Sequence, residues 1–397
     1  MLKCIEISGL FGQYSYKLPF VGGPRKSICF LTGPNGYGKS TILRLINAFM
    51  RVDARPFMTI PFECIVFYLN NYKVKICQDW VDEVIEGNES SENDDEIHGE
   101  RKLTVEVYVN GGEDVFEHME LLAHEMTEDG GNAFPPSLSI YLASQKVEYV
   151  KDDRLMEQVD GKRGVTKAVG LLQKKIEEYD KLLAAKYNEH LMEALQSLSL
   201  ESFTKGNLEK TRLLKRFNEK ETAYRRLGLG ISLTDNKLNE EDGLMYLLRV
   251  AAIDQSMNLE DPVFMRLNLL YDMVEKAEFA NKTLELNKEH GLIFHNGENI
   301  IIPENLSSGE QHFIVQLITL LFKAEKGSLI LVDEPELSYH PAWQMDYLKN
   351  LKRISEIGDY QFILATHSAQ IFDYRWGYTI DLYKQSINDA EGAKTIH

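Results

Sequence analysis

No stretch of the chain is apolar over the roughly 18 residues that a membrane-crossing helix needs, so a spanning protein is not expected. Cysteine is scarce: Cys4, Cys29, Cys64 and Cys77 are scattered, with no CxxC pair. That spacing argues against a zinc site and against a disulfide framework; four reduced, buried thiols of a cytoplasmic protein are the expectation. Positive charge is also short, with 44 Lys and Arg against 61 Asp and Glu and a formal net charge of −17. A surface so acidic cannot coat nucleic acid as a whole, and any such contact must be local. No signal-peptide pattern opens the sequence. Met1 to Ile7 alternates as a strand does instead.

What the chain does have is hydrophobic content of 44% over 397 residues, enough for two or three domains with real cores. Its most informative stretch is Gly33-Pro34-Asn35-Gly36-Tyr37-Gly38-Lys39-Ser40-Thr41. An apolar run, Ser27 to Leu31, leads in, and an amphipathic run from Thr41 leads out, giving strand, glycine loop, helix. Glycines at 33, 36 and 38 allow positive φ, so backbone N–H groups of the loop and of the helix start turn toward phosphate oxygens. Lys39 supplies a charge for the β- and γ-phosphates and the Ser40 hydroxyl a ligand for Mg²⁺.

Around that loop, residues 2 to 20 read as a β-hairpin pairing with the strand before it. The hairpin's aromatics Phe11, Tyr14, Tyr16 and Phe20 serve either as sheet-face core or, for one of them, as a stack for adenine. Short β runs follow at Cys64 to Leu69, Tyr72 to Ile76 and Leu103 to Val109. Between them the polar, acidic stretch Glu86 to Glu96 reads as an exposed loop, with metal binding as its other use. A second loop spans Asp129 to Pro136, and Leu138 to Leu142 reads as a strand carrying Gln145 at its end. Such a glutamine reaches Mg²⁺ or the attacking water, or is simply a surface residue.

From Val165 to Arg226 the period shifts to three or four residues: Leu172, Ile176, Tyr179, Leu183, Tyr187, Leu191, Ala194 and Leu198 form a stripe. This predicts a helix pair or coiled-coil-like arm. Residues 205 to 226 carry eight Lys and Arg against three Glu. They could contact a nucleic-acid backbone, or form a solvated face or an interface with an acidic partner. Asp261-Pro262 predicts a helix start, and Asn296-Gly297 a hairpin turn.

Chemistry returns after residue 305. Ser307, Ser308 and Gly309 open a very apolar helix and offer hydroxyls and N–H groups to an anion. Leu329 to Val332 reads as a buried parallel strand ending in Asp333 and Glu334, where ligands of α/β sheets bind. The last strand, Gln361 to Ala365, ends in Thr366-His367-Ser368.

Taken together, GPNGYGKS at 33–40, LSSGE at 306–310, LILVDE at 329–334 and ATHS at 365–368 resemble the motifs of ABC-type ATPases, in the family's order. The stretch EPELSYHP at 334–341 is similar to the EPE-x-x-x-HP pattern of the OLD, RecF and SMC-like branch. GLFGQYSYKL at 9–18 resembles the opening of ATPases from bacterial anti-phage systems such as Septu and PARIS. The resemblance implies an α/β fold: an ABC-ATPase (P-loop NTPase) core with an antiparallel β subdomain and an inserted α-helical or coiled-coil arm. The expected divisions are 1–150, 151–290 and 291–397.

The resemblance also assigns roles. ATP would be cradled by Asn35, Gly36, Gly38, Lys39, Ser40 and Thr41. Ser307, Ser308 and Gly309 would close on the γ-phosphate held by a second, head-to-tail copy. Mg²⁺ would be held by Ser40, Asp333 and Gln145. Glu334 would act as general base, with His367 and Gln145 beside the γ-phosphate. Tyr37 departs from the small residue usual in the loop, and Ser308 and Glu310 from the commonest signature. About 30 residues follow His367, too few for the Toprim nuclease of OLD proteins, so a separate nuclease or effector subunit is implied. A DNA-repair ATPase and a nucleotide-bound scaffold with negligible turnover are the competing expectations.

Overall fold

A computed structural model describes residues 1–22, 27–83, 98–109, 112–125, 134–150, 164–196, 207–229, 243–279, 281–337 and 339–386. The acidic stretch 86–96, most of the loop 129–136, and Leu198 and Lys205 lie outside the described residues. The chain forms two compact units, Met1–Asp152 with Ala324–His397, and Asp153–Lys323. The signature stretch thus clusters with the helices of the middle, not with the C-terminal segment grouped with it from sequence.

The first unit has two sheets. One is five-stranded, ordered β14 (Thr379–Asp381), β3 (Ile28–Thr32), β13 (Gln361–Ala365), β12 (Leu329–Asp333) and β8 (Val147–Val150). All four pairings are parallel. β3 and β13 are buried at every position and β12 at all but Asp333, as expected of strands covered on both faces. The other sheet is antiparallel and six-stranded: β2 (Tyr14–Pro19), β1 (Leu2–Leu10), β4 (Cys64–Leu69), β5 (Tyr72–Glu83), β6 (His98–Val109) and β7 (Glu117–Leu122).

Helix α1 (Lys39–Met50) is the layer between them. Its residues Ile42, Leu43, Leu45, Ile46 and Phe49 share one core with Leu31, Leu331 and Ile363 of the parallel sheet and with Ile5, Ile65 and Val105 of the other. The rings of Phe49 and Phe67 stack at 3.9 Å. α2 (Arg55–Thr59) follows at once.

Three expectations change here. The hairpin of residues 2–20 forms, but β1 pairs with β4 rather than with the strand before the phosphate loop. The alternation of β1, buried at Leu2, Ile5, Ile7 and Leu10, suits a one-faced antiparallel sheet, whereas β3 needs two apolar neighbours. Residues 138–142 are not a strand but part of α3 (Pro136–Ala143), started by Pro136 and buried through Leu138 and Leu142, one turn apart. Cys64 and Cys77 are not separate thiols. They face each other in the β4–β5 ladder and are joined as a disulfide, while Cys4 and Cys29 are not disulfide-bonded. The 13-residue spacing conceals a pairing that the Asn70-Asn71 turn region brings into register.

The second unit opens with α4 (Gly164–Gln196), 33 residues long, whose Leu172, Ile176, Tyr179 and Leu183 are buried. α5 (Asn207–Arg226), α6 (Leu244–Ser256) and α7 (Pro262–Lys276) follow. Asp261 caps α7 as its sequence predicts, accepting from the N–H groups of Val263 and Phe264. β9 (Thr283–Asn287), β10 (Gly291–Asn296) and β11 (Asn299–Ile301) form a small antiparallel sheet turning at Gly297. α8 (Ser308–Ile318), continued by a π-helical turn at Thr319–Lys323, ends the unit. α9 (Pro341–Met345) and α10 (Tyr347–Gly358) belong to the first. No described helix is long and apolar enough to cross a membrane.

Candidate nucleotide site

β3 delivers the phosphate loop to the C-terminal edge of the parallel sheet, and α1 leads away. Gly33, Gly36 and Gly38 all have positive φ, at 139°, 89° and 80°. A side chain at any of the three would strain the turn. At Gly38 it would also press on Leu10 Cδ2, 3.0 Å from the Cβ position. Gly38 caps α1 with no side-chain hydrogen bond, and the first turn has no acidic residue. The helix start therefore keeps its positive end and its donors for an anion. Asn35 and Gly36 are exposed at the loop tip; Gly38, Ser40 and Thr41 are half-buried.

Lys39 is buried, and its ammonium is folded back onto the loop, donating to Gly33 O at 2.8 Å and Pro34 O at 2.9 Å. Burial pulls its pKa below the usual lysine value, against the opposing pull of Glu334, Asp333 and Glu336. Its third neighbour is His367 Nδ1 at 3.4 Å. An ammonium only donates, so Nδ1 is the acceptor and the ring hydrogen lies on Nε2. Nε2 faces Glu334 Oε1 at 3.5 Å.

Asp333, at the end of β12, accepts from Ser40 Oγ at 2.9 Å and from Tyr149 Oη at 3.2 Å. Glu334 has φ of +46°, a left-handed conformation strained for a residue with a side chain. Its N–H donates to Ala365 O at 2.9 Å, holding the ends of β12 and β13 together.

The structure thus brings together Lys39, Ser40, Asp333, Glu334 and His367. It does not bring Gln145 to them. Gln145 precedes β8, and β8 pairs in parallel with β12 so that Val147 lies beside Leu329 and Val150 beside Val332. Asp333 is four residues up the sheet from Leu329, about 13 Å at strand rise. Gln145 lines a cavity of about 30 Å³ at the opposite edge, with Met1, Met50 and Gln361 among its neighbours. The assignment failed because the stretch before it is a helix leading into a strand, rather than a strand ending at the site. Tyr149 is the residue of that strand which reaches the site, and its short run VEYV gave little periodic signal.

The hairpin aromatics divide. Tyr16 and Phe20 are core. Tyr16 Oη donates to Tyr37 O at 3.0 Å. Tyr14 stands 5.2 Å from the Tyr37 ring, and Tyr383 5.6 Å on another side. The unusual loop tyrosine is therefore embedded among tyrosines.

In the second unit, Ser307 is the N-cap of α8 in a capping box: its Oγ accepts from Glu310 N, and Glu310 Oε2 accepts from Ser307 N at 2.9 Å. Glu310 is buried and paired with Lys282 at 2.8 Å. Ser307 and Ser308 are exposed and Gly309 is half-buried. The basic helix α5 is largely engaged within its own unit. Arg216 and Lys220 reach the buried Asp254 at 2.8 and 3.2 Å. Arg225 pairs with Glu221, and Arg226 with Asp272 while stacking on Tyr271. Lys210, Arg212 and Lys215 remain on its exposed side.

The sequence model of the family described as "AAA domain, putative AbiEii toxin, Type IV TA system" matches residues 178–373, from within α4 past His367. No curated protein sequence matches the chain. Among solved structures, the chain is similar to the SMC head bound to the C-winged helix domain of ScpA, at 14% identity and a TM-score of 0.39, covering 96% of this chain and 93% of that one. It is also similar to the SMC head domain from Thermotoga maritima, at 12% identity and a TM-score of 0.35, over 94% and 91%. The architecture is the one expected from sequence: an α/β core that carries the glycine loop on a parallel sheet, an antiparallel β subdomain and a helical insertion.

Proposed function

We propose that the chain hydrolyses Mg-ATP at the loop of residues 33–41. The supporting observation is the line Lys39–His367–Glu334, with Ser40 on Asp333 beside it. Lys39 is released from its own loop carbonyls to the β- and γ-phosphates. Glu334 accepts a proton from water as the water oxygen bonds to the γ-phosphorus. The bond from that phosphorus to the bridging oxygen breaks, and ADP and phosphate leave. His367 aligns Glu334 and the γ-phosphate oxygens.

The fit to a divalent metal rests on the donor set. No cluster of three or more His, Cys, Asp or Glu is gathered among the described residues. One carboxylate with a hydroxyl 2.9 Å away suits Mg²⁺, which takes few protein ligands and completes its shell with phosphates and water. Ser40 and Asp333 would hold it, and it would neutralise phosphate charge. The test is ATP turnover by the purified chain, with Lys39→Ala expected to abolish it. Undiminished turnover in that variant would overturn the reading.

The finer reading is a regulator that pairs head to tail around two nucleotides and controls a separate nuclease or effector in anti-phage defence. Exposed Ser307 and Ser308 at the start of α8 support the pairing. The toxin–antitoxin wording of the matched family, with the motif resemblance, supports the defence setting. ATP-dependent dimerisation of Glu334→Gln, lost in Ser307→Arg, tests the pairing; co-purification with the product of the neighbouring gene tests the effector. The alternative, DNA binding through α5, loses support because four of its basic side chains already meet carboxylates.

A further inference from the structure

Glu336 has no role in the assignments above, although it lies two residues beyond Glu334. Its Oε1 accepts from His367 N at 2.6 Å and from Ser368 N at 3.2 Å. Its Oε2 is buried with no hydrogen-bond partner among the described residues. A buried carboxylate oxygen left unsatisfied is unfavourable, so this side chain is not there for stability on its own account. The other oxygen accepts from the N–H groups of His367 and Ser368, in the turn that carries the site histidine, the second of them shared with Thr366 Oγ1.

That turn is fixed from a second side. Ser368 Oγ donates to Gln344 Oε1 at 2.7 Å. Gln344 Nε2 donates to Tyr339 O at 3.2 Å and to Glu336 O at 3.4 Å. Glu336, Ser368 and Gln344 therefore close a ring joining the segment after β12, the segment after β13 and α9. Neither backbone N–H that Glu336 receives belongs to a helix or a sheet ladder; Ser368 N also donates to Thr366 Oγ1 at 3.0 Å, so among the described residues it is His367 N for which Glu336 is the one acceptor.

We propose that Glu336 is the positioning residue for His367: it clamps the backbone of the 366–368 turn so that Nδ1 meets Lys39 and Nε2 meets Glu334. Through this clamp, the carboxylate that ends β12 and the histidine that follows β13 move as one body. The inference rests on the proposed ATPase reading for its catalytic consequence, but not for the clamp itself.

Two measurements test it on the full chain. The first is amide hydrogen exchange. Glu336→Ala should speed exchange in peptides covering 366–369 and leave those from β9 and β10 unchanged; Glu336→Gln, which keeps Oε1, should restore most of the protection. Unaltered exchange at 367, whose N–H has Glu336 as its acceptor, overturns the clamp in Glu336→Ala whatever the activity does.

The second is a kinetic cycle. Glu336→Ala should lower kcat about a hundredfold, the cost of a misplaced group in a site, with KM for ATP nearly unchanged. In a His367→Ala background it should cost nothing further. An equal loss in that background would mean that Glu336 acts independently of His367, and the positioning role falls. If His367→Ala itself turns over ATP like the unaltered chain, the catalytic reading of the site fails and the positioning role for hydrolysis fails with it. The exchange result then still reports on the clamp alone.

Discussion

His367 stands between Lys39 and Glu334, 3.4 Å from the one through Nδ1 and 3.5 Å from the other through Nε2. Glu334 and His367 follow the ends of β12 and β13, and Lys39 opens α1 after the loop that leaves β3, with β13 the middle one of the three parallel strands. The order of strands in the sheet, rather than sequence proximity, makes the histidine the bridge.

Glu334→Gln should therefore keep nucleotide binding and lose hydrolysis by about 10²- to 10⁴-fold, the usual worth of a positioned base. Fluorescent-nucleotide titration and phosphate release measure the two separately. Normal turnover in the Glu334→Gln variant removes Glu334 as base.

Gln145→Ala should leave turnover and affinity for ATP within about twofold of the unaltered chain, because residue 145 lies at the far edge of the sheet. Tyr149→Phe, at the near edge, removes one donor from Asp333 and should raise the Mg²⁺ concentration needed for half-maximal turnover. A large effect at 145 with none at 149 would reverse the placement argued above.

The start of α8 should be acid-sensitive. Burial pushes the Glu310 carboxyl up, but Lys282 and the Ser307 donors outweigh it, so its pKa lies below the ordinary 4.5. A lowered folded pKa contributes stability that is present above 4.5 and is lost as pH falls through the folded value. Glu310→Gln, which keeps the cap geometry but leaves Lys282 unpaired, should destabilise by about 1.5–3 kcal/mol near neutral pH. That difference should shrink as pH drops below 4.5; melting curves of both proteins across the range check it.

Reducing the Cys64–Cys77 bridge, or replacing Cys64 by Ser, should lower stability by about 2–3 kcal/mol, given the short loop it closes. Denaturant midpoints with and without reductant read this directly. The candidate nucleotide site should be unaffected, since both cysteines belong to the antiparallel sheet.

Where function dictates residue type at close range, the sequence was legible. Glycines at 33, 36 and 38 with Lys39 and Ser40 mark a turn of positive φ between strand and helix, and LILVDE carries both its strand and its carboxylates. What depends on distant pairing was hidden. Nothing in Cys64 and Cys77 states that β4 and β5 oppose them. Nothing in residues 2–20 states that β4, rather than β3, is the partner. The strained backbone of Glu334 and the service of Glu336 to His367 are set by the meeting of β12 with β13, which is a property of the folded sheet. Leu138 to Leu142 shows the opposite failure: a short apolar run has no period of its own, and Pro136 was the better guide.

β8 and β12 are adjacent in the sheet, yet the entire second unit lies between them in the chain. Topologically that unit is one very long crossover connection between neighbouring parallel strands. Lengthening, shortening or exchanging it alters no strand pairing in the sheet that carries residues 39, 333 and 367. An architecture wired in this way can keep its parallel sheet and glycine loop while the excursion diversifies, since the excursion enters after β8 and returns before β12.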